Sequence, residues 1–159
     1  MARTLLIIAT LLIVSTLAKF EYVSEISTKF ELVDNIEAFR AKNPKLIVRE
    51  LQKSSVEERN QARYNIHYTL GRITNGQRLV AQNSNRTSWP TAQNTRLTLT
   101  YPTSGIGSSI TFVSIHVDQS SNMGTAYVTA GGIGQRAIRI VVEANQTYWF
   151  NYNATIFGI

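Results

Sequence analysis

Arg96-Leu97-Thr98-Leu99-Thr100-Tyr101 alternates polar and apolar side chains without a break. A period of two sets Leu97, Leu99 and Tyr101 on one face of an extended strand and the polar residues on the other. The same period recurs downstream. Val113, Ile115 and Val117 alternate with Ser114, His116 and Asp118. Ala126, Val128 and Ala130 share a face, as do Ile138, Ile140 and Val142 opposite Arg139 and Glu143. Tyr148, Phe150, Tyr152, Ala154 and Ile156 form a longer stripe.

Turn signals stand between these runs: Asn75-Gly76, Ser104-Gly105-Ile106-Gly107, Ser120-Ser121-Asn122, Gly131-Gly132-Ile133-Gly134 and Ala144-Asn145-Gln146. Upstream, 65–70 and 77–82 read as a hairpin around Asn75-Gly76. No helical pattern separates the strands, which argues against a parallel sheet. The expectation is an all-β domain, an antiparallel sandwich or small barrel of six or seven strands within 64–159.

Charge marks a boundary near residue 63. Between Lys19 and Arg63, 17 of 45 residues are charged; between Tyr64 and Ile159 only 8 of 96 are, with six Arg, no Lys, Asp118 and Glu143. Residues 19–63 read as a charged, partly helical extension. Leu32, Ile36 and Phe39 recur at helical spacing until Asn43-Pro44, and Ser54/Glu57 or Ser55/Glu58 resembles a capping box before Arg59 to Arg63.

The first 18 residues read as a secretory signal peptide, with Arg3, an apolar run from Leu5 to Leu17, and cleavage between Ala18 and Lys19. The run is too short for a membrane span, which needs about 20 residues, and no second apolar run approaches that length. The mature protein is therefore expected to be extracellular, without a stable membrane span.

The chain has no cysteine, which removes thiol catalysis and thiolate metal sites. A net charge of +6 favours anionic partners, and the partner expected is an unidentified protein or an anionic ligand. The six arginines of the low-charge region (Arg72, Arg78, Arg86, Arg96, Arg136, Arg139) are scattered through strands and loops, so nucleic acid is not the expected partner.

Candidate chemistry is sparse. His67 and His116 are the only histidines. His116 and Asp118 share a strand face, but two ligands fall short of the three that even an open zinc site requires. Asp118 and Glu143 could supply a glycosidase pair only if the fold joined them; both read as surface residues. Gly131 to Gly134 lacks the spacing of a phosphate loop and precedes a strand rather than a helix, so it reads as a hairpin. No catalytic residue, cofactor or metal site is expected. Three glycosylation sequons begin at Asn85, Asn145 and Asn153, the first two in expected loops and the third on the polar face of the last strand.

The blocks His67-Tyr68-Thr69-Leu70-Gly71-Arg72, Gly76-Gln77-Arg78-Leu79-Val80, Thr100-Tyr101-Pro102, Ile115-His116-Val117-Asp118, Gly124 to Val128, Gly131 to Gly134 and Ile156-Phe157-Gly158 resemble, in order and spacing, the insect multiprotein-bridging-factor type-2 family. The resemblance covers most of 64–159 and none of the charged extension. It implies one of two roles. Many members carry signal peptides and are described as salivary secreted peptides; the family name denotes a transcriptional co-activator that bridges a nuclear receptor to the general transcription machinery. No catalytic residues come with it. The leader and sequons favour a secreted, non-enzymatic binding protein, with co-activation as the alternative and an unrecognised hydrolase on His116, Asp118 or Glu143 as a third reading.

Overall fold

The computed structural model describes residues 23–33, 37, 38, 41, 44, 49–58 and 63–159. The leader, the Ala18/Lys19 cleavage point, and Ile36 and Phe39 of the helical stripe lie outside them. Nine strands run in chain order: β1 Ser24–Glu25, β2 Ser27–Leu32, β3 Arg49–Glu50, β4 Gln52–Glu58, β5 Arg63–Gly71, β6 Arg78–Tyr101, β7 Ile110–Gln119, β8 Gly124–Gly131 and β9 Ile138–Gly158. They form one sheet, antiparallel except where β1 runs parallel to β6, and not closed into a barrel.

β6 and β9 organise this sheet. They pair with each other along most of their length, over 24 and 21 residues. The start of β6 lies against the end of β9, flanked by β7, β5 and β4. The end of β6 lies against the start of β9, flanked by β8 and β2. Between the two halves the register shifts twice, between Ser88 and Gln93 and between Gln93 and Thr95. Pro90 sits in that interval, where a residue without an N–H costs no ladder bond. On β9 the matching irregularity is Gln146, at φ 50°.

The halves share one core. Ile66, Tyr68, Leu70, Val113, Ile115 and Val117 enter from one half, and Leu97, Leu99, Val128, Ile138, Ile140 and Val142 from the other. Each fully buried Leu or Ile contributes about 1.5–3 kcal/mol. At the bend Phe30 stacks on Trp89, with ring centroids 5.9 Å apart, and meets Phe150 at 5.8 Å.

The alternating stripes lie on strands as expected, and Gly131 to Gly134 is the hairpin joining β8 to β9. Several expectations are corrected. Strands read as separate are halves of β6 and of β9, because Asn145-Gln146 bends the chain without ending it. Asn85 and Asn145 therefore stand in strands rather than loops. The Asn75-Gly76 turn exists, but β5 and β6 do not pair as a hairpin, since β6 is claimed by β9 and β5 by β4 and β7. Ala130 is exposed, because a register shift after Val128 turns it off the core face. Tyr148, next to the Gln146 bend, is 51 % exposed.

The described part of the charged segment adds four strands. Glu37, Ala38 and Ala41 have the helical backbone expected there, but Leu32 ends β2, and Ser54 to Glu58 belong to β4 rather than capping a helix. Unpaired edges on β5 and β6 decide this, because ladder bonds outweigh weak local helix signals. Ile26, between β1 and β2, and Leu51, between β3 and β4, are buried where the chain passes from one half to the other. Lys53 Nζ ties β4 to the β7–β8 turn by donating to the carbonyls of Asn122 and Gly124 at 2.9 and 2.8 Å.

Candidate binding site

The first half of the sheet buries one face and leaves the other polar, as period-two sequences require. Register turns the polar positions into cross-strand rows. Ser54, His67, His116, Asn153 and Ser84 align across β4, β5, β7, β9 and β6. Asn65, Asp118, Asn151 and Arg86 form the neighbouring row. The twist of the sheet makes these rows an open groove of about 710 Å³.

Two clusters stand in it. The imidazoles of His67 and His116 stack with centroids 3.9 Å apart and planes 12° from parallel. His67 Nε2 lies 2.7 Å from Ser114 Oγ. Burial lowers the His67 pKa from its ordinary 6.5, and the neighbouring charge of His116 lowers it further. Beside the histidines, Asp118 accepts a bidentate pair from Arg63, at 2.9 and 2.8 Å, plus bonds from Trp149 Nε1 at 3.3 Å and Asn151 Nδ2 at 3.1 Å. Burial opposes ionisation of Asp118, but these hydrogen bonds outweigh it and hold its pKa below the ordinary 3.8.

The groove brings together His67, His116 and Asp118. The sequence showed the two-residue spacing of His116 and Asp118 but not the pairing of the two histidines, which depends on β5 lying beside β7. Asn65, Ser84 and Asn151 carried no signal of their own beyond polar positions in alternating runs.

Glu143 is not a surface residue and does not join Asp118. It is 1 % exposed in the second half, where it accepts from Tyr127 Oη at 2.9 Å and faces Arg96 Nε at 3.6 Å. The expectation failed because β9 continues beyond Glu143 and is covered on both faces there. The two carboxylates thus lack the shared cleft of a glycosidase pair. Among the described residues no group of three or more His, Asp or Glu side chains is placed to hold a metal ion, and no helix is long and apolar enough to cross a membrane.

Of the sequon residues, Asn85 and Asn153 are exposed and line the groove. Asn145 is half-buried at the β9 bend with its Oδ1 enclosed. The arginines divide: Arg86 borders the groove, Arg96 is buried beside Glu143, and Arg72, Arg78 and Arg136 lie in or beside the loops at one end.

The site is thus an open, hydrogen-bonding groove on an all-β domain. Residues 70–158 match the family described as Transcription activator MBF2, and the chain belongs to that family. The match runs from the end of β5 to the end of β9 and so contains both long strands and most of the groove. No curated protein and no solved structure matches the chain.

Proposed function

We propose that this protein is a non-enzymatic transcription co-activator that bridges two protein partners, with the groove around His67, His116 and Asp118 as one contact surface. The family match over residues 70–158 carries this reading, because the family is described by transcription activation. The groove supports it: paired imidazoles, an anchored carboxylate, amides and Arg86 offer donors and acceptors to a polar protein surface, and polar rims of this kind supply specificity. Tethering the full chain to a DNA-binding domain upstream of a reporter tests the proposal. Activation above the untethered level is expected, reduced by His67→Ala with His116→Ala. A reporter that stays at its basal level removes the reading.

A second reading, a secreted binding protein for a protein or anionic ligand, is favoured by the leader-like residues 1–18 and by the exposure of Asn85 and Asn153. On this reading the native chain appears in culture medium, starts at Lys19 and shrinks on deglycosylation. Full-length chain retained in the nucleus rejects it.

A further inference from the structure

The connections β5–β6 (72–77), β6–β7 (102–109) and β8–β9 (132–137) all emerge at one end of the folded sheet, beside the last residues of β9. Backbone bonds lock them together: Arg72 N to Thr111 O, Gly134 N to Ile110 O, and Ser109 with Ile159 in both directions. The three most exposed large apolar side chains among the described residues all stand here: Ile106 at 85 %, Ile73 at 79 % and Ile159 at 60 %. Single exposed isoleucines are ordinary, but two on adjoining loops with Ile159 beside them are a feature.

The charged side chains of the three connections have one sign. The three connections contain Arg72 and Arg136 and no Asp or Glu. Against Ile159 lies a recess of about 400 Å³ lined also by Arg49, Arg72, Thr74, Ser109, Thr111 and Ile133. Among the described residues neither Arg49 nor Arg72 is paired with a carboxylate. Of the nearby acids, Glu25 turns its carboxylate to Asn83 on the flank and Glu50 follows Arg49 along β3.

We propose that this loop end is a docking site for an anionic phospholipid surface. The recess takes a headgroup phosphate between Arg49 and Arg72, and Ile73 and Ile106 enter the acyl boundary. The geometry fits a bilayer better than a folded partner. Ile73 and Ile106 stand exposed on separate loops at the same end as a recess that holds two arginines, so apolar tips and positive charge are offered to one surface; a protein partner would need a socket for each tip. Charge complementarity and apolar insertion together supply the two signals that interfacial binding requires.

The chain lacks cysteine, so one introduced thiol reports one place. Full-length Ser104→Cys and Ser88→Cys, each carrying an environment-sensitive fluorophore, are titrated with vesicles of phosphatidylcholine alone or mixed with phosphatidylserine. Ser104 is on the β6–β7 loop and Ser88 beside the bend at the far end. The Ser104 label is expected to brighten and shift to the blue only with phosphatidylserine, and the Ser88 label to stay unchanged. Arg72→Glu should weaken half-saturation at least about fivefold, the contribution of one cationic side chain at such a surface. Arg86→Glu, the same change of charge far away, should not. Ile106→Ser should reduce the blue shift. The proposal is overturned if the Ser104 label is unmoved, responds equally to phosphatidylcholine, or is as sensitive to Arg86→Glu as to Arg72→Glu. Brightening with an acidic peptide but not with vesicles also overturns it, in favour of a protein partner. Displacement by inorganic phosphate without any blue shift on vesicles reassigns the recess to a free anion.

Discussion

His67 and His116 are directly opposed across β5 and β7, and their rings stack 3.9 Å apart on the open side of the sheet. The pairing is comfortable while His67 is neutral. With His67 depressed below its ordinary 6.5 by burial and by His116, the unfolded chain binds more protons than the folded one just below that pH. Stability therefore falls as pH drops from 6.5 toward the folded value and then levels off. Urea midpoints between pH 7 and pH 5 should show this decline, and His67→Asn should flatten it.

Asp118 makes a second, lower window. Its pKa is held below 3.8, so its bonds to Arg63, Trp149 and Asn151 stabilise the fold above that pH and are lost below it. Asp118→Asn should cost about 1–2 kcal/mol at neutral pH, near the lower end for charged hydrogen bonds because the site is partly exposed. The wild-type and variant curves should converge in acid.

Glu143 is enclosed with Tyr127 and Arg96. Glu143→Ala takes from the buried Arg96 guanidinium its closer carboxylate and leaves it Glu31 Oε2 at 4.0 Å, which costs about 3 kcal/mol, whereas Tyr127→Phe costs about 1 kcal/mol. Denaturant unfolding should rank them in that order; equal losses would place the pair in solvent.

Gly131 and Gly76 both have positive φ, at 70° and 78°, but different surroundings. A Cβ on Gly131 would lie 2.0 Å from the Ala137 carbonyl oxygen, while one on Gly76 meets nothing within 4 Å. Gly131→Ala is expected to cost about 2–4 kcal/mol, from backbone strain plus a forced shift of the β8–β9 hairpin. Gly76→Ala should cost only about 1 kcal/mol of strain. Thermal unfolding of the two variants distinguishes them.

The sequence alone determined the strand character of Leu97 to Tyr101, Val113 to Val117 and Ile138 to Val142, because a period of two is a local property of the chain. It also determined the buried side of the Leu97 to Tyr101 and Val113 to Val117 runs, and the family resemblance that residues 70–158 bear out. Tertiary structure decided what alternation does not encode. Register set His67 on His116, length of pairing carried β9 past Glu143 and buried it, and vacant edges drew Ser54 to Glu58 into a strand rather than a helix. A ladder is a contact between residues far apart in sequence. Its partners are chosen by competition among all strands for the same edges, so no single segment announces them.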